Sequence, residues 1–126
     1  MMRTVKSAAL LGAGIVTAFV LVGCAGSAGN AVLGTWGEGT AATDPHLVFS
    51  DDGRVSGSDG CNSLTGSWKA DGDAIVVSDV ATTLMACPDV DTWLGGIAQA
   101  TLSESDDQLT VLDESGTQIG SLDRED

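Results

Sequence analysis

The sequence predicts a mainly β (α+β) domain: a small antiparallel sheet rolled into a partly open barrel or conical sheet, with one short helix packed against it. Three observations predict it. Short apolar runs are joined again and again by turns rich in Asp and Gly, the pattern of hairpins, because Gly takes positive φ without steric cost. A single segment carries helical spacing. The chain that remains after an amino-terminal signal is long enough for one domain with one core.

The amino terminus is set apart from the fold by its composition. Arg3 and Lys6 form a positive start, and residues 8–22 follow as an apolar run broken only by Gly12, Gly14 and Thr17. Leu21-Val22-Gly23-Cys24 ends it in the form of a lipobox, with small residues where a signal peptidase must fit the backbone. A membrane-spanning helix needs about 20 apolar residues, more than this run supplies. Residues 1–23 are therefore expected to be a lipoprotein signal peptide, with Cys24 the lipidation site. Residues 24–32, rich in Gly, Ala and Ser, are expected to be a flexible membrane tether, and residues 33–126 the domain.

Within the domain, Gly34-Thr35-Trp36 opens the first strand. Leu47-Val48-Phe49 turns through Ser50-Asp51-Asp52-Gly53 into Arg54-Val55-Ser56-Gly57. Residues 64–69 turn through Ala70-Asp71-Gly72-Asp73 into Ala74-Ile75-Val76-Val77. Near the end, residues 108–112 turn through Asp113-Glu114-Ser115-Gly116 into residues 117–122. Closing such a sheet would remove its edges. Between the last two hairpins, Pro88-Asp89-Val90-Asp91 precedes Trp93, Leu94, Ile97, Ala98 and Thr101. That spacing predicts one short helix with an apolar stripe, an acid near its positive end and Pro near its start. Gly95 and Gly96 each weaken it by up to about 1 kcal/mol. The aromatics Trp36, Phe49, Trp68 and Trp93 are assigned to a small core.

Charge narrows the partners. Arg3 and Lys6 leave with the signal, so three basic residues (Arg54, Lys69 and Arg124) face eighteen acidic ones, a net of −15. Nucleic acid, whose binding needs Lys and Arg on phosphates, is excluded. Anionic lipid headgroups are repelled within a Debye length of about 8 Å. Attachment to the membrane must then come from acyl chains on Cys24, stable when two or more are present.

Two stretches go beyond general β character: Gly57-Ser58-Asp59-Gly60-Cys61-Asn62-Ser63-Leu64-Thr65-Gly66-Ser67-Trp68, and Ala81-Thr82-Thr83-Leu84-Met85-Ala86-Cys87-Pro88. Together they resemble the G-x-x-G-C-N-x-x-x-G-x-aromatic and T-x-M-x-C signatures of the META/HslJ-like domain, over residues 34–122. The order of the other elements agrees, and the departure lies in the helix, where Gly95-Gly96 occupy the middle. The resemblance implies a bacterial envelope lipoprotein, a compact antiparallel barrel with a packed helix, and a link to envelope stress, including tolerance to heat or novobiocin. It implies no particular molecular activity.

The motif residues themselves read as structure. Cys61 and Cys87 are the cysteines left once Cys24 is acylated, and in an oxidising compartment they most simply form a disulfide. Buried free thiols and a metal or redox site are the alternatives, the last without a Cys-x-x-Cys spacing or partnering His. Gly57, Gly60 and Gly66 mark bends or a bulge, Asn62 a local hydrogen-bonding turn, and Thr83 and Met85 packing or bonding across the same region. His46 is the one histidine, beside Asp44 and Pro45, and no Ser stands in a nucleophile-elbow context. The acidic pairs lie in turns and match no calcium loop. No catalytic residues, metal ligands or cofactors are assigned.

The expectation is thus a monomeric, lipid-anchored protein on the extracytoplasmic face of the cell membrane, a non-enzymatic accessory or binding module with an envelope protein as partner. The alternative is a carrier or pilot that holds a lipid or other apolar ligand inside the barrel.

Overall fold

The computed structural model describes residues 27–125. The expected signal peptide, residues 1–23, and the expected lipidation site Cys24 lie outside the described residues. Eight strands follow one another in the sheet in chain order, each antiparallel to the next: β1 (Gly34–Gly37), β2 (His46–Phe49), β3 (Arg54–Ser58), β4 (Ser63–Asp71), β5 (Ala74–Thr82), β6 (Gln99–Leu102), β7 (Gln108–Leu112) and β8 (Gln118–Asp123). The sheet curls until its first and last strands meet. Trp36 bridges to Arg124, and the Glu125 N–H donates to the Thr35 carbonyl at 3.0 Å. The result is a nearly closed up-and-down barrel.

Alternation fills it. Along β3, β4, β5 and β7 every second residue turns inward (Val55, Leu64, Ile75, Val77, Leu109 and Val111 among them) while the residues between face outward or are half-buried. This is the period-2 geometry of a strand with one buried face. Trp36, Leu47, Phe49, Leu94 and Leu122 complete the core. The cavity bounded by Leu47, Val55, Leu64, Val77, Val80 and Ile97 measures about 10 Å³, room for one water at most. Among the described residues, the core is filled at that point.

The registers give it two distinct ends. One end, the near end, holds the start of β1, the turns at 50–53, 71–73 and 103–107, and the end of β8. The opposite, far end holds the segments 38–45, 59–62 and 83–98 and the turn at 113–117. A helix of five residues, α1 (Ser27–Ala31), lies at the near end, where Gly29 comes against Ala70. Val32 follows it into the core, fully buried, and its carbonyl accepts the Trp36 Nε1–H at 2.8 Å. Packing therefore begins before residue 33, inside the segment read from composition as a free tether. Gly29, with no side chain, lets the backbone approach Ala70, and Val32 supplies the apolar plug.

The helix expected over 88–101 is corrected. Only Trp93–Gly96 turns helically, as one 3₁₀ turn, and residues 99–102 form β6 between β5 and β7. Two causes combine. Gly95 and Gly96 sit where the helix would need good formers. Beyond them the backbone is claimed by the sheet: the Val77 N–H donates to the Ala98 carbonyl and the Ala98 N–H to the Leu112 carbonyl, both at 2.9 Å. The predicted stripe remains useful, because Leu94 and Ile97 are buried and cap the core at the far end. Trp93 lies on the bare backbone of Gly120, where a Cβ would come within 2.5 Å of its ring.

Candidate functional site

The motif residues gather at the far end, where the turn between β3 and β4 meets the segment leaving β5. Asp59 starts the turn. It is 2 % exposed, and its Oδ1 accepts the Cys61 N–H at 2.9 Å and the Asn62 N–H at 2.6 Å. The Asp59 N–H in turn donates to the Asn62 carbonyl at 3.0 Å. This is the local bonding by which an Asp side chain replaces a backbone partner in a tight turn. Gly60 supplies the positive φ (97°) that the turn requires. Ser58 braces the turn from outside: its Oγ accepts the Gly60 N–H at 3.0 Å and donates to the Ala42 carbonyl at 2.6 Å. A side chain at Gly57 would collide with the His46 carbonyl on the neighbouring strand.

Asn62 then ties the turn to the outgoing segment. Its Oδ1 accepts from Thr83 Oγ1 at 2.8 Å and from the Met85 N–H at 2.6 Å, and its Nδ2 donates to the Met85 carbonyl at 3.4 Å. Thr83 completes the link: its Oγ1 accepts the Ser63 N–H at 3.1 Å and its own N–H donates to the Ser63 carbonyl at 3.3 Å. A side-chain amide has the donor and acceptor of a peptide unit, so Asn62 extends the β4–β5 ladder beyond its last backbone bond, from the Thr83 N–H to the Ser63 carbonyl. Two residues further on, Cys87 forms the disulfide with Cys61 across 26 positions of sequence, with Cα atoms 5.9 Å apart. The motif is a clamp.

The remaining motif residues stand elsewhere. Gly66 sits at the register shift between Thr65 and Ser67, facing the Ser78 carbonyl, which is the bulge its position predicts. Trp68 lies toward the near end, where its Nε1–H donates to the Ser50 carbonyl at 2.9 Å and its ring meets Phe49 edge-on at 5.8 Å. It closes the β2–β3 turn and has no part in the clamp. His46 is buried, and because a carbonyl can only accept, its Nδ1 carries the proton given to the Asp44 carbonyl at 2.7 Å. Among the described residues, no three His, Cys, Asp or Glu side chains converge as metal ligands.

Held by the clamp, the segment 83–92 turns its apolar side chains outward. Leu84 is 96 % exposed and Met85 59 % exposed, with Val90 beside the Gly60 turn also exposed. The backbone of Met85 is fixed on both sides while its side chain faces solvent.

A sequence model of the META domain matches residues 15–126. The chain belongs to the META domain family. No curated protein and no solved structure matches it. In this META domain the two family signatures are one physical unit, the second supplying the segment that the first holds.

The site also contains residues without a role in the sequence reading. Asp59 was legible in principle, since Asp three positions before Asn spells a self-bonded turn. Arg124 was not: its guanidinium lies 4.2 Å from the centre of the Trp36 ring and donates to the Ala31, Leu33 and Asp106 carbonyls, contacts that exist only once β1 and β8 meet.

Proposed function

We propose that this chain is a lipid-anchored cell-envelope protein whose META domain serves as a non-catalytic accessory or binding module in envelope stress or antibiotic tolerance. The observation that carries the reading is that the polar and cysteine side chains of the motif are engaged within the domain: Asp59 holds its own turn, Asn62 and Thr83 bond the two far-end segments together, and Cys61 and Cys87 cross-link them. Such a motif builds a rigid scaffold for a surface. The lipobox at Cys24 supports the anchor. The apolar cavity between the strands, at about 10 Å³, weighs against a carrier that stores a lipid there.

The test is a Cys24→Ser variant of the full chain, followed by membrane fractionation and by growth under heat or novobiocin. The variant is expected to leave the membrane fraction and to lose the tolerance that the unaltered chain restores to a deletion strain. Retention in the membrane fraction would overturn the anchor, and unchanged growth of the deletion strain would overturn the stress role.

A further inference from the structure

We propose that Leu84 and Met85 form a docking tip for an envelope protein that offers an apolar pocket rimmed by basic side chains. Among the described residues, the exposed large apolar side chains are Leu84, Met85 and Val90, all in one segment. Exposed apolar residues that cluster on an otherwise polar surface mark contact sites. The tip is also prepared in advance. Asn62 holds the Met85 backbone, the disulfide fixes Cys87, and the Val90 N–H donates to the Cys87 carbonyl at 3.3 Å. A loop already ordered loses less entropy on binding.

Position and charge identify the occupant. Resting on the anchor proposed above, Cys24 stands three residues before Ser27, a reach of about 10 Å at 3.3–3.6 Å per residue. That places the membrane at the near end of the barrel. The tip is at the far end, separated from α1 by strands such as β4, nine residues long and hence roughly 30 Å when extended. It points away from the lipid surface to which the chain is tied. Arg54, Lys69 and Arg124 all lie in the near half, and the segment that carries the tip also carries exposed Asp89 and Asp91. A second copy would bring like charge to like charge, whereas a basic rim complements it.

The experiment places a photo-reactive amino acid at Ala86 of the full-length chain, in intact cells of the source organism, with the same probe at Asp73 in a near-end turn as control. Irradiation is expected to give one protein adduct from position 86 and none from 73, with the cross-linked peptide of the partner carrying Lys or Arg among apolar residues. Its yield should fall at least about tenfold in L84S/M85S, a variant whose melting temperature stays unchanged because both side chains are exposed. An adduct to lipid, an adduct of twice the chain mass, a partner peptide without basic residues, or a yield indifferent to L84S/M85S would each overturn the proposal. Fractionation of Cys24→Ser reads the anchor alone, so the two failures are distinguishable.

Discussion

The near end of the barrel closes with short turns at 50–53, 71–73 and 103–107, while the far end must manage the long segments 38–45 and 83–98. Near-end turns satisfy themselves: the Gly53 N–H returns to the Ser50 carbonyl, the Arg54 N–H to Asp52 Oδ1, and Ser103 and Ser105 both donate to Asp107 Oδ1. Far-end segments have no regular ladder and borrow partners from distant sequence, as Asn62 does from Met85 and Cys61 from Cys87. Order at the near end is therefore mostly local, with Trp68 and Arg124 adding bonds from a distance, and in the long far-end segments it is a tertiary property that a few side chains maintain.

Breaking the cross-link should separate the ends most. In the chain-entropy account, the disulfide across 26 positions is worth roughly 3–4 kcal/mol. A C61A/C87A variant should melt about 15–25 °C lower. Amide exchange should accelerate at 59–62 and 83–97 well before it does in the near-end turns. Uniform acceleration at both ends would show that the contrast is false.

Asn62→Ala should act next, by about 0.5–1.5 kcal/mol, since it removes hydrogen bonds to Met85 and Thr83 at an exposed site where water takes over. Chemical denaturation measures the loss. Asn62→Asp, which keeps the acceptor and removes the Nδ2 donor, should lose less, and an equal loss would sink the ladder-extension account.

The smallest effect compares two turns at opposite ends. Hydroxyl donation from Ser105 and Ser103 lowers the pKa of the Asp107 carboxyl, and donation from Ser115 with the Thr117 N–H lowers that of Asp113. For a lowered carboxyl the stabilisation is present above its unfolded value and lost as pH falls through its folded one, below about pH 4. Melting temperature should therefore drop less on acidification in Asp107→Asn and in Asp113→Asn than in the unaltered chain. Both turns are exposed and self-bonded, so similar small changes at both are expected, and a large change at Asp113 alone would show that its turn belongs with the clamped segments.

What could be read from the sequence follows the same division. The Asp/Gly hairpins, the alternating strands and the Cys61–Cys87 pair were legible, because each is written within a few residues or by the scarcity of cysteine. The 88–101 segment misled because Leu94 and Ile97 suit a helical stripe and a capping turn equally, and only the open edges of β5 and β7 decide between them. Val32 gave no sign of burial among Gly, Ala and Ser. The bonds of Asn62 span 23 positions and those of Arg124 more than ninety, distances over which no local pattern carries information. Met85 reads as a packing residue by type, and the exposure of its side chain and of Leu84 comes with the clamp that holds the backbone.

Arg124 has a mechanical consequence. Its guanidinium holds the Ala31 and Leu33 carbonyls on one side and Trp36 and the Asp106 carbonyl on the other. A pull on the chain ahead of Ser27 would reach the barrel through those carbonyls, so the load would fall on the seam between β1 and β8. Under tension the barrel would part there first, like a clasp, while the disulfide at the opposite end kept its segments together.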